Sequence, residues 1–476
     1  MRKSLLALSL TLAVSVSSPV QAGFVTMVDN GPTQNRVDAV FIGDGYTTSQ
    51  LGNVYLTHIG AMLNYMFGGS QNPFPRYQKF FNVHRIDQAS NQSGADVPPE
   101  GVFRDTALDA TYFFDGVTDR LLYVNQAKTD QAISANLNRA FIPDMRLVTV
   151  NSERYGGGGG RYAVYSGGNS SATEVALHEL GHSFAGLADE YSYGGGQQYN
   201  GGEPSEPNVT TSPTGAKWAH WLGYNERGVG PIGAYEGAKY YEQDIYRPSD
   251  DSKMRSLNRP FDAVSREEII LDIYDIVDPL DGWLGNQGTL DNPASLWVDT
   301  VDPNVITVSW LVNGVKVEGA HGENFNPRAF GIQSGDFTIK AEAKDPTPWV
   351  RIELDKLQQS VAWTVHLDPL DPIPGDVNGD DVVNVEDLNL VRNNFGAAGE
   401  PIPGDTFPYN GRVDIEDLNA VRNHFGEARS FAVPEPGGLV LGGVALALSA
   451  IVSFRSAKGN RPFAERKATM WQSFRR

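Results

Sequence analysis

The stretch "HELGHSFAGLADEY" sets His178 and His182 four residues apart, with Glu179 directly after the first histidine. On an α-helix, residues four apart differ by only about 40° around the axis, so both imidazoles project from one face and can grip one ion. Glu179 falls at the edge of that face. From there it can take a proton from a water activated by the ion and leave the ion to other donors. The flanking residues Val175, Leu177, Leu180, Phe184 and Leu187 are apolar at the spacing of a buried helix. The chain has no cysteine, so a thiolate site is excluded.

Two arrangements compete for the third donor. In zinc peptidases of the metzincin type a glycine ends the ligand helix and the last ligand follows three residues later. Here Gly186 lies four residues after His182 where that pattern has three, so the helix is one residue longer, but Asp189 stands three residues past the glycine and is the predicted ligand, with Glu190 the second choice. The other arrangement, as in thermolysin-like enzymes, takes a glutamate from a later helix. Glu203 and Glu206 are available, but their Gly- and Pro-rich surroundings do not suit a helix. Further along, "SKMRSLNRPFDAVS" offers Met254 as the floor of the site, the place of the metzincin methionine turn.

Four segments in this order, "NRVDAVFIGDGYT", "YGGGGG", "HELGHSFAGLADEY" and "MRSLNRPF", resemble the M64 peptidase family, the IgA peptidase group, over roughly residues 24 to 275. The resemblance implies a zinc endopeptidase that hydrolyses peptide bonds through a metal-activated water, with Glu179 as general base and then as proton donor to the leaving amine. Some metzincins place an oxyanion-binding tyrosine two residues after the methionine. Ser256 occupies that position here, which leaves Tyr191 and Arg255 as candidates.

The elements that must position these residues have legible signals. "RVDAVFIGDGYT" reads as a buried strand over Val37 to Ile42 ending in a Gly-Asp-Gly turn, followed by a helix near Leu56 to Phe67 and strands at "FFNVHRID" and "RLVTVN". The five glycines from Gly156 to Gly160 lack the Gly-Lys-Ser/Thr of a phosphate loop, so they read as a flexible loop or as backbone approaching a neighbour closely. A helix is predicted over Ser265 to Asp275. Together these predict an α/β or α+β metzincin-like catalytic domain over residues 23–290.

Residues 291–370 alternate apolar and polar positions, with Asn313-Gly314 as a hairpin turn, and predict an all-β, immunoglobulin-like sandwich with Trp310 and Trp363 in its core. Residues 374–428 hold a repeat, "GDVNGDDVVNVEDLNLVRNNFG" and "GDTFPYNGRVDIEDLNAVRNHFG". In the first copy Asp376, Asn378, Asp380, Asn384 and Asp387, with the carbonyl of Val382, have the spacing of a calcium loop. The pair resembles a small α dockerin domain, with Asp381 where that family has glycine. This implies bound calcium and a cohesin-like partner. In the second copy only Asp405, Asn410, Asp414 and Asp417 remain as candidates.

The ends concern location. Arg2, Lys3, the apolar run from Leu5 to Val16 and "VQA" up to Ala22 read as an export signal over residues 1–22. The uncharged stretch from Gly437 to Phe454, followed by a basic tail over 459–476, predicts a C-terminal transmembrane helix. With Val433-Pro434-Glu435-Pro436 ahead of it, residues 433–458 resemble the PEP-CTERM sorting signal, which implies exosortase processing at the cell surface. A formal charge of −19, with basic residues concentrated in the tail, disfavours nucleic acid as a partner. Two functions follow for the whole chain. One is an exported, surface-anchored zinc endopeptidase acting on proteins or peptides; the other is an inactive surface-binding scaffold using the β-domain and the repeat.

Overall fold

The computed structural model describes residues 23–137, 140–399 and 401–429. It is a mixed α/β chain in two compact units, one of residues up to 277 with 349–352, the other of 278–348 with the residues from 353 onward. The export signal, the Val-Pro-Glu-Pro run, the 437–454 stretch and the basic tail lie outside the described residues. Among the described residues no helix is long and apolar enough to cross a membrane.

The first unit is organised by a six-stranded sheet of strands β1 (Gly23–Val28), β2 (Val37–Asp44), β3 (Phe81–Asp87), β4 (Met145–Val150), β5 (Gly157–Gly158) and β6 (Ala163–Ser166), in the order β1-β3-β2-β4-β6-β5. The central strands β3, β2, β4 and β6 run parallel, and β1 and β5 close the two edges antiparallel. Every residue of β2 is buried. A parallel strand covered on both faces needs this continuous apolar run rather than an alternation. Helices α1 (Leu56–Met66), α2 (Gln126–Leu137), α3 (Ala172–Ser183) and α4 (Ala263–Ile276) complete the unit, with a hairpin of β7 (Tyr235–Ala238) and β8 (Tyr241–Arg247) between α3 and α4.

Asp44, at the end of β2, is wholly buried and satisfied by four donors: the backbone N–H groups of Leu108 and Ala110 at 2.8 and 2.9 Å and the hydroxyls of Thr106 and Ser90. It therefore pins the 90–110 loop to the sheet. This gives the "GDGYT" segment a structural role.

In the second unit, strands β9 (Leu280–Trp283), β10 (Thr289–Asp291), β11 (Leu296–Thr300), β12 (Thr307–Val312), β13 (Val315–His321), β14 (Asn324–Phe325), β15 (Gly335–Lys344) and β16 (Gln358–Leu367) form a five-stranded sheet, β10-β16-β15-β12-β13, and a three-stranded sheet, β9-β11-β14. The sheets share a core where Phe325 of the smaller stacks on Trp310 of the larger at 5.1 Å. Trp310 and Trp363 are both buried, and each donates its indole N–H to a backbone carbonyl, of Gly322 and Leu284. The repeat folds as two loop-helix units, with helices α5 (Val385–Asn394) and α6 (Ile415–His424) packed on Val383, Val391, Val413 and Val421.

Candidate active site

Helix α3 carries His178, Glu179 and His182. Its inner face of Val175, Ala176, Leu177 and Leu180 is buried, and burial of that face rather than helix propensity holds a twelve-residue helix of this composition. Gly181 rests on Met254: a Cβ there would stand 2.6 Å from the Met254 Sδ, inside contact distance. Met254 is fully buried and so forms a floor under the ligand helix. Beyond Phe184 the chain reverses through Gly186, whose φ of +62° is the left-handed value that favours glycine. The reversal turns Asp189 back toward the two histidines.

Three atoms converge. His178 Nε2 lies 3.1 Å from Asp189 Oδ1 and 3.1 Å from His182 Nε2, and His182 Nε2 lies 3.3 Å from the same Asp189 oxygen. Ligands about 2.0–2.1 Å from a tetrahedral zinc stand about 3.3 Å from one another. The spacing is that of three donors able to share one ion.

The remaining nitrogens are committed elsewhere. His178 Nδ1 faces the Lys253 carbonyl at 2.9 Å and His182 Nδ1 the Leu187 carbonyl at 2.7 Å. A carbonyl only accepts, so both Nδ1 atoms carry a proton and both Nε2 atoms are turned toward each other and toward a carboxylate. Such an arrangement favours positive charge between the rings and the carboxylate, as a proton or as a metal ion. The same demand appears in the titration of the pair. Burial works to lower the His182 pKa, but the charge and hydrogen bond of Asp189 push it up to about 9. Burial would raise Asp189, yet the two imidazoles hold it well below the usual carboxylate range.

Asp189 is itself held at both ends. Its Oδ2 accepts the Tyr240 hydroxyl at 2.5 Å and its carbonyl accepts the Lys239 N–H at 2.9 Å. Lys239 and Tyr240 both have positive φ, 47° and 74°, a rare conformation for such side chains that the tight β7–β8 turn imposes. Nothing in "GAKYYEQ" signals a turn, so neither the turn nor the role of Tyr240 was legible in the sequence.

Glu190 faces away from the imidazoles. Fully buried, it accepts from Ser252 Oγ at 2.6 Å and Asn208 Nδ2 at 2.9 Å, and its backbone N–H donates to the Met254 carbonyl. It fastens the Met254 turn to the ligand segment. Glu203 and Glu206 are occupied by Lys217 and Lys239.

Glu179 has a carboxylate oxygen within 4.8 Å of both imidazoles, which makes it a rival third donor. Asp189 Oδ1 is closer to both rings, so Glu179 is left free beside the triangle. Burial raises the Glu179 pKa against the opposing pull of His178 and His182. The glycine-rich strand β5 runs over this end of α3. A Cβ at Gly157 would meet Val175 at 2.4 Å and Glu179 Oε1 at 3.0 Å, and one at Gly159 would meet His182 Cβ at 2.6 Å. The glycines serve close approach of backbone to the helix. A cleft of about 310 Å³ opens here, lined among others by Arg120, Tyr155, His178, Glu179, Tyr191 and Arg255.

With this geometry in view, residues 25–229 match the family model described as IgA Peptidase M64. No curated protein matches the chain. The match supports a peptidase, a hydrolase. It spans His178, Glu179, His182 and Asp189 and stops short of Met254.

The residues of the predicted calcium loop are joined by hydrogen bonds that also cap the helix after them. Asp376 accepts the N–H groups of Gly379, Asp380 and Asp381. Asn378 donates to Asp380, and Asn384 caps α5 by accepting from Glu386. Asp387 is buried and accepts from Val377, Asn378 and Asn384, while Val382 is partly exposed. The second copy repeats the pattern with Asp405, Asn410, Asp414 and Asp417. Its Tyr409 ring is exposed.

Proposed function

We propose that the first unit is a zinc-dependent endopeptidase, with His178, His182 and Asp189 as the metal ligands and Glu179 as the general base. The observation that carries this reading is the triangle of Nε2, Nε2 and Oδ1 atoms, 3.1 to 3.3 Å on a side, with the half-buried Glu179 carboxylate beside it. Zinc held there would supply a Lewis acid that polarises a peptide carbonyl and acidifies a water.

The chain's own groups do the rest. Glu179, its affinity for a proton raised by burial, takes the proton from the attacking water and returns it to the leaving amine. Tyr191 lines the cleft, and its hydroxyl accepts from Arg120 Nη2 at 3.3 Å, which leaves its own proton to donate to the carbonyl oxygen as charge develops there. Met254 supports the helix from beneath. The test is metal analysis with cleavage of an unstructured protein. Glu179→Gln is expected to keep one zinc per chain and lose about 10²–10⁴-fold in kcat, the range for removal of a general base. Full activity in that variant would remove Glu179 from the role.

Export by residues 1–22 and surface anchoring through the 437–454 stretch, with exosortase processing at Val433-Pro434-Glu435-Pro436, complete the proposal and are supported by the sequence. Calcium at Asp376, Asn378, Asp380, the Val382 carbonyl, Asn384 and Asp387 is supported by their spacing, as is a cohesin-like partner for the repeat.

A further inference from the structure

Arg120 stands in the cleft beside Glu179, and its position is not left to a mobile loop. The Gly157 N–H donates to the Arg120 carbonyl at 3.1 Å and the Leu122 N–H to the Gly157 carbonyl at 3.1 Å, so the arginine is bridged to the glycine-rich strand that overlies α3. A Cβ at Gly156 would lie 2.8 Å from the Arg120 carbonyl, so this close pairing depends on the glycine.

No carboxylate among the described residues lies within ion-pair distance of Arg120, whose charge reaches the Glu179 carboxylate only at longer range. The acid next to it in sequence, Asp119, is taken by Arg154 at 2.5 Å. The other arginine of the cleft, Arg255, has Asp250 at 3.6 Å. What Arg120 does touch is neutral: Nη2 donates to the hydroxyls of Tyr191 at 3.3 Å and Tyr193 at 3.4 Å, and the guanidinium lies 5.7 Å from the centre of the Tyr191 ring. A guanidinium has five N–H donors in a planar fork that matches a carboxylate. Those on Nε and Nη1 have no acceptor among the described residues. In a chain of net charge −19 such a cation at the mouth of a cleft is a local exception.

We propose that Arg120 receives a carboxylate of the substrate, so that the cleft selects peptides with an acidic group close to the scissile bond. This rests on the peptidase reading above. The carboxylate is either an Asp or Glu side chain or the free C-terminus of the peptide, and the two sources are separable by experiment.

The zinc-loaded full chain is given matched peptides with Glu or Gln at each position flanking the cut, each made with a free or an amidated C-terminus. A Glu-over-Gln ratio of kcat/KM of about tenfold to a hundredfold, the scale of one charge-assisted hydrogen bond, identifies side-chain recognition. The same ratio for free acid over amide identifies the C-terminus. Arg120→Gln is expected to bring the operative ratio to about one, with Arg120→Lys retaining part of it. A wild-type ratio near one for both pairs, or a ratio unchanged in Arg120→Gln, overturns the proposal. So does an equal fall in kcat for all peptides in Arg120→Gln, since the residue would then act through Tyr191. Calorimetric binding of the same peptides to the Glu179→Gln protein, with and without Arg120→Gln, gives a readout without turnover. If no peptide is cleaved by the wild-type chain the peptidase reading fails, and equal binding of acidic and neutral peptides then separately sinks the role of Arg120.

Discussion

Asp189 and Glu190 are neighbours of like chemistry with opposite surroundings. One carboxylate faces two imidazoles and a tyrosine hydroxyl; the other is closed in by Ser252 and Asn208. Burial raises the Glu190 pKa well above its ordinary value, so its neutral form is the favoured one and an amide of the same shape is a fair substitute. Asp189→Ala is expected to lose bound zinc together with activity, whereas Glu190→Gln keeps both, as metal analysis of the two purified variants would read. Zinc retained in the first and lost in the second would transfer the ligand role. Local spacing put Asp189 and Glu190 both within reach of the histidines; which of them turns inward depends on groups from about twenty to sixty residues further along the chain.

At the scale of elements, the site depends on how closely α3 approaches its neighbours. Gly181→Ala would drive a methyl group into Met254 Sδ, at 2.6 Å before relaxation. A loss of about 1–3 kcal/mol is expected, as for overpacking in a dense core, with weaker zinc binding. Calorimetry would show an unchanged midpoint if the contact is slack. The sheet beneath carries a second test. Asp144, just before β4, accepts the Asp38 N–H at 2.9 Å and so clasps β4 to β2. Burial pushes its pKa up to about 7. In the window between the ordinary value of 3.8 and about 7 the folded chain therefore binds more protons than the unfolded one, and this residue's contribution to stability falls as pH rises. Asp144→Asn keeps the acceptor and removes the charge. Its melting temperature should match wild type near pH 4 and exceed it at pH 8; equal values at pH 8 would refute the clasp's ionisation.

For the whole molecule, if the proposed ligands hold zinc in the folded chain and not in the unfolded one, loss of the ion is expected to destabilise the first unit. At a free zinc concentration 1,000 times Kd the ion would contribute about 4 kcal/mol of stability, and a chelator should lower the first unit's transition accordingly. A transition indifferent to chelation would mean that the triangle is held by the fold alone. The transition of the second unit, whose core of Trp310, Trp363 and Phe325 contains none of these ligands, is expected to stay in place.

What the sequence determined by itself was local. The four-residue interval places His178 and His182 on one helical face, continuous apolar runs specify buried parallel strands, alternation specifies the β-sheets of the second unit, and the repeat declares itself by identity. These follow from backbone periodicity, which any short segment carries within it. The tertiary structure decided what lies across space: the Lys253 carbonyl that orients His178, the Tyr240 hydroxyl on Asp189, the Met254 floor under Gly181, and Arg120 held at the cleft by Gly157. No periodicity reports such contacts, because each is made by packing between segments whose separation along the chain leaves no imprint on either one.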